Sequence, residues 1–254
     1  MSTAPVGIFD SGVGGISVLR DIRRILPAED LIYFADSAHC PYGGKSAAEI
    51  TERACVITET LLQRGAKLIV VACNTATIAA VEHLRATYPV PFVGMEPAVK
   101  PAAAITRSGV IGVLATGAAL AGEKFHGLVA RHADGVRVIT QPCPGLVERV
   151  EAGDLGSDET RALVAQYTAP LLAEQADVLV LGCTHYPFLR PLIADVVGPD
   201  VQLLDTGEAV ARQVQRLLVR DELLKPANRN GKLEWLTSGD AGAFAALHEM
   251  LMRR

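Results

Sequence analysis

Leu68-Ile69-Val70-Val71-Ala72-Cys73-Asn74-Thr75 is a short apolar, β-branched-rich run that stops at a thiol followed by two hydrogen-bonding side chains. Its length and composition predict a strand buried on both faces, as in a parallel sheet covered by helices. A second run, Val178-Leu179-Val180-Leu181-Gly182, stops in the same way at Cys183-Thr184-His185. In open α/β sheets, ligands bind outside the carboxyl ends of the strands. Each half of the chain therefore offers one thiol at a ligand-binding edge.

Strand and helix patterns alternate outward from these corners. Val6-Gly7-Ile8-Phe9 reads as an opening strand ending in Asp10-Ser11-Gly12-Val13-Gly14-Gly15. A helix follows with Ile16, Leu19, Ile22 and Ile25/Leu26 on one face, and it stops at Pro27. Leu31-Ile32-Tyr33-Phe34 is a second strand, and a polar loop runs from Asp36 to Gly44. Ser46-Ala47-Ala48-Glu49 has the form of a capping box opening a helix with Ile50, Ala54, Ile57 and Leu61 inward. After the Cys73 strand come a helix through Ile78, Val81 and Leu84 and a fourth strand around Phe92-Val93. The pattern then restarts with strands at Gly109 to Leu114, Val136 to Ile139, the Cys183 run and Val201 to Leu204. The cysteines are 110 residues apart and the opening strands, aligned at Ile8 and Ile111, 103 apart, a near-agreement that points to an ancient duplication.

Past Asp205-Thr206-Gly207, a helix with Val210, Val214, Leu217 and Leu218, a strand at Lys232 to Thr237 and a helix at Ala241 to Met252 are expected to rejoin the first sheet. The expected architecture is two pseudo-symmetric doubly wound α/β domains with the active site in the cleft between them. The first is discontinuous, 1–97 plus 207–254, and the second is 98–206.

The chain has 254 residues, half of them hydrophobic and 20% charged, with a formal net charge of −4. That balance gives no electrostatic footprint for nucleic acid, and Arg20, Arg23 and Arg24 read as the solvated face of one helix. No secretory signal and no bilayer-length apolar run is seen, so the expected location is cytoplasmic. Cys40, Cys55, Cys73, Cys143 and Cys183 are an odd, scattered set without a Cys-x-x-Cys pair. Free thiols are expected, with no metal site.

A thiol at a strand end, with a helix starting just after it, sits near a positive helix dipole that favours the thiolate. Cys73 has this setting, with Asn74 and Thr75 suited to binding a carboxylate or an amino group. Cys183 is expected to share it, with Thr184 as hydroxyl and His185 as proton-handling neighbour. Either thiol alone reads as core packing. Two at equivalent corners do not. A Cys183/His185 nucleophile for hydrolysis leaves Cys73 without a role, and a thiol phosphatase lacks its arginine cradle. Gly12-Val13-Gly14-Gly15-Ile16-Ser17 partly fits a dinucleotide fingerprint, with Asp36 where a ribose-binding acid would stand. Yet Ser17 occupies the third glycine position and Asp10 would repel a pyrophosphate. The glycines more simply bring backbone close to a small anionic ligand.

Asp10-Ser11-Gly12-Val13-Gly14-Gly15, Pro41-Tyr42-Gly43, Ala72-Cys73-Asn74-Thr75-Ala76 and Gly182-Cys183-Thr184-His185-Tyr186-Pro187 resemble the signature segments of the glutamate racemases, cofactor-independent members of the aspartate/glutamate racemase superfamily. Glu96-Pro97, Cys143-Pro144 and Asp205-Thr206-Gly207 extend the resemblance over nearly the whole chain. The resemblance implies an isomerase that interconverts L- and D-glutamate without a cofactor, the D form feeding peptidoglycan synthesis, cell-wall biogenesis and cell shape. It implies that Cys73 and Cys183 are the acid/base pair on opposite faces of the α-carbon. Asp10 is expected to assist Cys73, and His185, backed by Glu151, to assist Cys183. Ser11, Pro41, Tyr42, Gly43, Asn74, Thr75, Thr116, Thr184, Asp10 and His185 are expected to hold the substrate. Ala119 and Gly122 stand where many members carry a threonine and a serine, which bears on substrate affinity. The expected partner is the small-molecule substrate glutamate, with no membrane and no nucleic acid, and a homodimer is the candidate assembly. An aspartate racemase and a non-catalytic two-lobed amino-acid-binding protein are the competing readings.

Overall fold

The computed structural model describes residues 2–226 and 230–253. In chain order the elements are β1 (Val6–Asp10), α1 (Ile16–Ile25), β2 (Leu31–Ala35), α2 (Ala47–Gln63), β3 (Leu68–Val71), α3 (Asn74–Thr87) and β4 (Phe92–Val93). They continue with α4 (Val99–Ile105), β5 (Val110–Ala115), α5 (Gly117–Ala121), α6 (Glu123–His132), β6 (Arg137–Pro142), α7 (Leu146–Glu151) and α8 (Asp158–Ala173). The last are β7 (Val178–Leu181), α9 (Arg190–Val197), β8 (Gln202–Leu204), α10 (Gly207–Arg220), β9 (Leu233–Thr237) and α11 (Ala241–Met252). The chain forms two compact units, residues 1–95 with 207–254, and residues 96–206.

In the first unit all strand pairs are parallel, in the order β4-β3-β1-β2-β9. Every residue of β1, β2 and β3 is buried, which is why those segments read as unbroken apolar runs instead of alternating ones. The capping box that opens α2 is present. The Ser46 hydroxyl accepts the Glu49 amide at 3.3 Å and the Glu49 carboxylate accepts the Ser46 amide at 2.9 Å, so two otherwise unpaired first-turn donors are satisfied reciprocally. The segment after α10 is tied to this sheet by buried charge: Lys67 Nζ lies 2.6 Å from Glu29 and donates to the Leu223 carbonyl at 2.8 Å, while the Lys225 amide donates to Glu29 at 2.7 Å. Buried ions persist only when paired and hydrogen-bonded in this way. β9 then extends the sheet beside β2.

The second unit has parallel strands in the order β6-β5-β7-β8. Matching β1 to β5, β2 to β6, β3 to β7 and β4 to β8 makes the two orders the same, so the halves are pseudo-symmetric. β7 repeats the fully buried pattern of β3. Among the described residues, no helix is long and apolar enough to cross a membrane.

Candidate active site

Cys73 is the N-cap residue of α3, two residues past the end of β3. Its sulfur accepts the Ala76 amide at 3.5 Å and lies 3.9 Å from the Ser11 hydroxyl. The thiol therefore stands where the first-turn amides of a helix converge, an arrangement that stabilises negative charge on sulfur. β1 is the neighbour of β3, so Asp10 and Ser11 reach the same sheet edge. Asp10 is fully buried; its carboxylate accepts the Gly15 amide at 2.8 Å, with the Ser11 hydroxyl at 3.5 Å. Gly15 must lack a side chain here, because a Cβ would come within 2.8 Å of Asp10 Cβ and 3.0 Å of Ala72 Cβ. The loop is further held by the Tyr33 hydroxyl, which donates to the Gly12 carbonyl at 2.8 Å. Asn74 and Thr75 are buried in the first turn of α3. Asn74 Oδ1 has no hydrogen-bond partner among the described residues, and a buried acceptor without a protein donor suits a ligand N–H.

The loop after β2 carries Pro41, Tyr42 and Gly43, of which Pro41 is exposed and Tyr42 buried. The Tyr42 hydroxyl donates to Asp36 at 2.6 Å, so its proton is directed to that carboxylate. Burial, and next the bond to Asp36, push the Tyr42 phenol far above its ordinary value. Asp36 is also bound by Arg53 through Nε at 3.0 Å and Nη2 at 2.8 Å, with His39 Nδ1 at 3.1 Å. Burial raises its pKa, but hydrogen bonds from Arg53, Tyr42 and Ser238 outweigh burial and hold the carboxyl below the usual range. With its oxygens engaged, Asp36 is not the ribose ligand of a dinucleotide fold. Asp10, in turn, takes an amide of the glycine loop that a pyrophosphate would need.

Cys183 follows β7, and here one expectation fails. The chain after it makes a 3-10 turn at Tyr186–Leu189, and α9 begins only at Arg190. Pro191 lacks the amide that would bond the Pro187 carbonyl, so the turn cannot run on as α-helix. The sulfur instead lies 3.6 Å from His185 Nδ1, and His185 Nε2 lies 2.6 Å from Glu151 Oε1. Glu151 is delivered by α7, which starts after Gly145 in the left-handed region at φ 88°. Thr184 and His185 are buried. Gly182 is required as glycine, since a Cβ would meet the Leu114 carbonyl oxygen at 3.0 Å. Thr116, at the end of the adjacent β5, caps α5 by accepting the Ala119 amide at 3.3 Å. Ala119 is buried in that turn. Cys143 is buried behind this corner, where burial pushes its thiol up to about 12.

The structure thus groups Asp10, Ser11, Cys73, Asn74 and Thr75 at one sheet edge, and Glu151, Cys183, Thr184 and His185 at the other unit's edge. Arg53 was not singled out from sequence. It flanks the apolar stripe of α2, three residues after Ile50 and four before Ile57, a position from which an arginine can reach a strand tip. A buried carboxylate beside a strand end was the available signal.

The chain belongs to the Asp/Glu/hydantoin racemase family, whose sequence model matches residues 6–214. Within it, the chain is 60% identical over 251 residues to the glutamate racemase of Herpetosiphon aurantiacus, with 99% of each chain covered. Among solved structures it resembles a glutamate racemase isoform from Bacillus anthracis, with a TM-score of 0.88 at 31% identity, covering 99% of this chain and 94% of that one. It also resembles Escherichia coli glutamate racemase in complex with L-glutamate and the activator UDP-MurNAc-ala, with a TM-score of 0.87 at 35% identity over 98% and 95% of the two chains.

Proposed function

We propose that this chain is an isomerase that interconverts L- and D-glutamate. One thiol, as thiolate, removes the α-proton, and the other delivers a proton to the opposite face, so that the carbon inverts. Cys73 and Cys183 are the two acid/base groups. Asp10 assists the first, and His185, oriented by Glu151, assists the second. Ser11, Asn74, Thr75, Thr116, Thr184 and the Pro41-Tyr42-Gly43 segment hold the substrate's charged groups. In that last segment the Tyr42 hydroxyl already donates to Asp36, so its contribution comes from the rest of the segment.

The observation that carries this reading is the recurrence of one thiol at the equivalent strand end of two sheets with the same strand order. A hydrolase built on Cys183 and His185 leaves Cys73 unexplained. The choice of glutamate is supported by the 60% identity to a glutamate racemase. An α-proton beside a carboxylate is weakly acidic, so the developing charge must be met by preorganised donors. In this reading protein side chains perform both proton transfers, and no cofactor takes part. The protein acts in the cytoplasm as a homodimer and supplies D-glutamate for peptidoglycan.

The test is incubation of the purified protein with L-glutamate in heavy water, without added cofactor. Deuterium at the α-position together with appearance of the D-enantiomer is the expected result. Exchange on aspartate but not glutamate would transfer the activity to the sister substrate. Tight binding without exchange would make the chain a binding protein.

A further inference from the structure

Asp36 is a fully buried carboxylate with bonds on both sides of one corner. Its backbone amide donates to the Asp10 carbonyl at 3.0 Å, which fixes it to the tip of β1. Its side chain receives the Tyr42 hydroxyl at 2.6 Å and the forked Arg53 guanidinium at 2.8 and 3.0 Å. Tyr42 packs in the same apolar cluster as Cys73, Phe34 and Ile50. Arg53 comes from α2, whose first turn is fixed by its capping box. The result is a continuous chain of contacts from α2, through Arg53 and Asp36, to a ring that shares its buried apolar cluster with Cys73.

We propose that Arg53 is a positioning residue for the Cys73 corner: through Asp36 it fixes Tyr42 and the 37–44 loop against the thiol. The proposal rests on the racemase reading for its kinetic consequence, but not for its structural one. Without the guanidinium, Asp36 would be a buried carboxylate without its permanent cation, left with the Tyr42 and Ser238 hydroxyls and His39 as partners, and such a group protonates or draws in water. Either response loosens the Tyr42 hydroxyl and, with it, the Pro41-Tyr42-Gly43 segment assigned to substrate. A lysine supplies the charge but not the two-pronged geometry.

The experiment uses the full-length enzyme and its Arg53→Ala, Arg53→Lys and Asp36→Asn variants. Iodoacetamide labelling of Cys73 and Cys183 is followed peptide by peptide in the same samples, so that Cys183, on the other unit, is an internal control. For Arg53→Ala, Cys73 labelling is expected to accelerate on the order of fivefold while Cys183 labelling holds, and KM to rise roughly tenfold with a smaller loss in kcat. Arg53→Lys recovers part of both effects. Asp36→Asn gives the pattern of Arg53→Ala, and the double variant adds nothing further, as expected of two members of one linkage. Faster labelling of both cysteines together would mean general loosening of the fold and overturn the proposal, as would unchanged labelling and kinetics. Selective Cys73 labelling in a protein whose wild type leaves glutamate unchanged would support the brace and overturn the racemase reading.

Discussion

Glu151 holds His185 from behind: its carboxylate lies 2.6 Å from Nε2, while Nδ1, the other ring nitrogen, lies 3.6 Å from the Cys183 sulfur. The imidazole thereby bridges carboxylate and sulfur, the arrangement that the proposed proton-handling role of His185 requires. The Cys73 sulfur has a different escort, a helix amide at 3.5 Å and the Ser11 hydroxyl at 3.9 Å.

Glu151→Gln keeps the shape and removes the negative charge that lies 2.6 Å from His185 Nε2. The expected outcome is a fall in kcat on the order of 10²-fold, within the range for acid/base assistance, with little change in KM. Polarimetric assays from each enantiomer check this, and an unaltered kcat would return Glu151 to a helix-end surface charge.

Cys73→Ser and Cys183→Ser should each abolish racemisation, because a hydroxyl is a far weaker acid than a thiol and cannot be the base at neutral pH. Far-ultraviolet circular dichroism should show both variants folded. Full turnover by either one would sink the two-thiol assignment.

Gly15→Ala places a methyl within 3.0 Å of Asp10 and Ala72. Overpacking of this kind costs about 1–3 kcal/mol, and relief would move the Asp10 carboxylate away from the Gly15 amide. Chemical denaturation together with kcat should register both losses. A variant of normal stability and activity would show that the loop has room to spare.

Cys143 is expected to resist alkylation at pH 8 in the folded protein while reacting freely in denaturant. Its thiol is pushed up to about 12, by burial first, from an ordinary 9.0. Between those values the folded protein keeps a proton that the unfolded chain has released, so this contribution to stability is whole below about pH 9 and declines as pH rises toward 12. The slope is about 1.4 kcal/mol per pH unit for one group. Urea melts of the wild type and Cys143→Ala across that range should differ in slope, and parallel curves would count against the shift.

Much of this architecture was legible because parallel strands buried on both faces leave apolar runs with abrupt polar ends. Cys73, Cys183, Asp10 and Thr116 all stand at such ends, so the corners could be found by reading where each run stops. The Ser46 capping box was legible for a local reason, since both of its partners lie within one turn. Glu151 was reached through family resemblance; its spacing of 34 residues from His185 says nothing about a hydrogen bond. Asp36 and Arg53 pair across 17 residues between a strand tip and a helix flank, and an arginine in that stripe looks in sequence like any solvated charge. The 3-10 turn after Cys183 was missed because Pro187 is compatible with a helix start, and only Pro191, four residues on, forbids its continuation.

One strand order serves both thiols, yet the groups beside the two sulfurs are unlike. Mirror-image amino acids have equal free energy in water, so an enzyme that merely inverts one has an equilibrium constant of unity. Its kcat/KM must then be identical from either enantiomer. In the proposed two-thiol mechanism the inequality of the corners can therefore surface in steady-state kinetics only as kcat and KM shifting together, with the handedness of the substrate deciding which sulfur would work first.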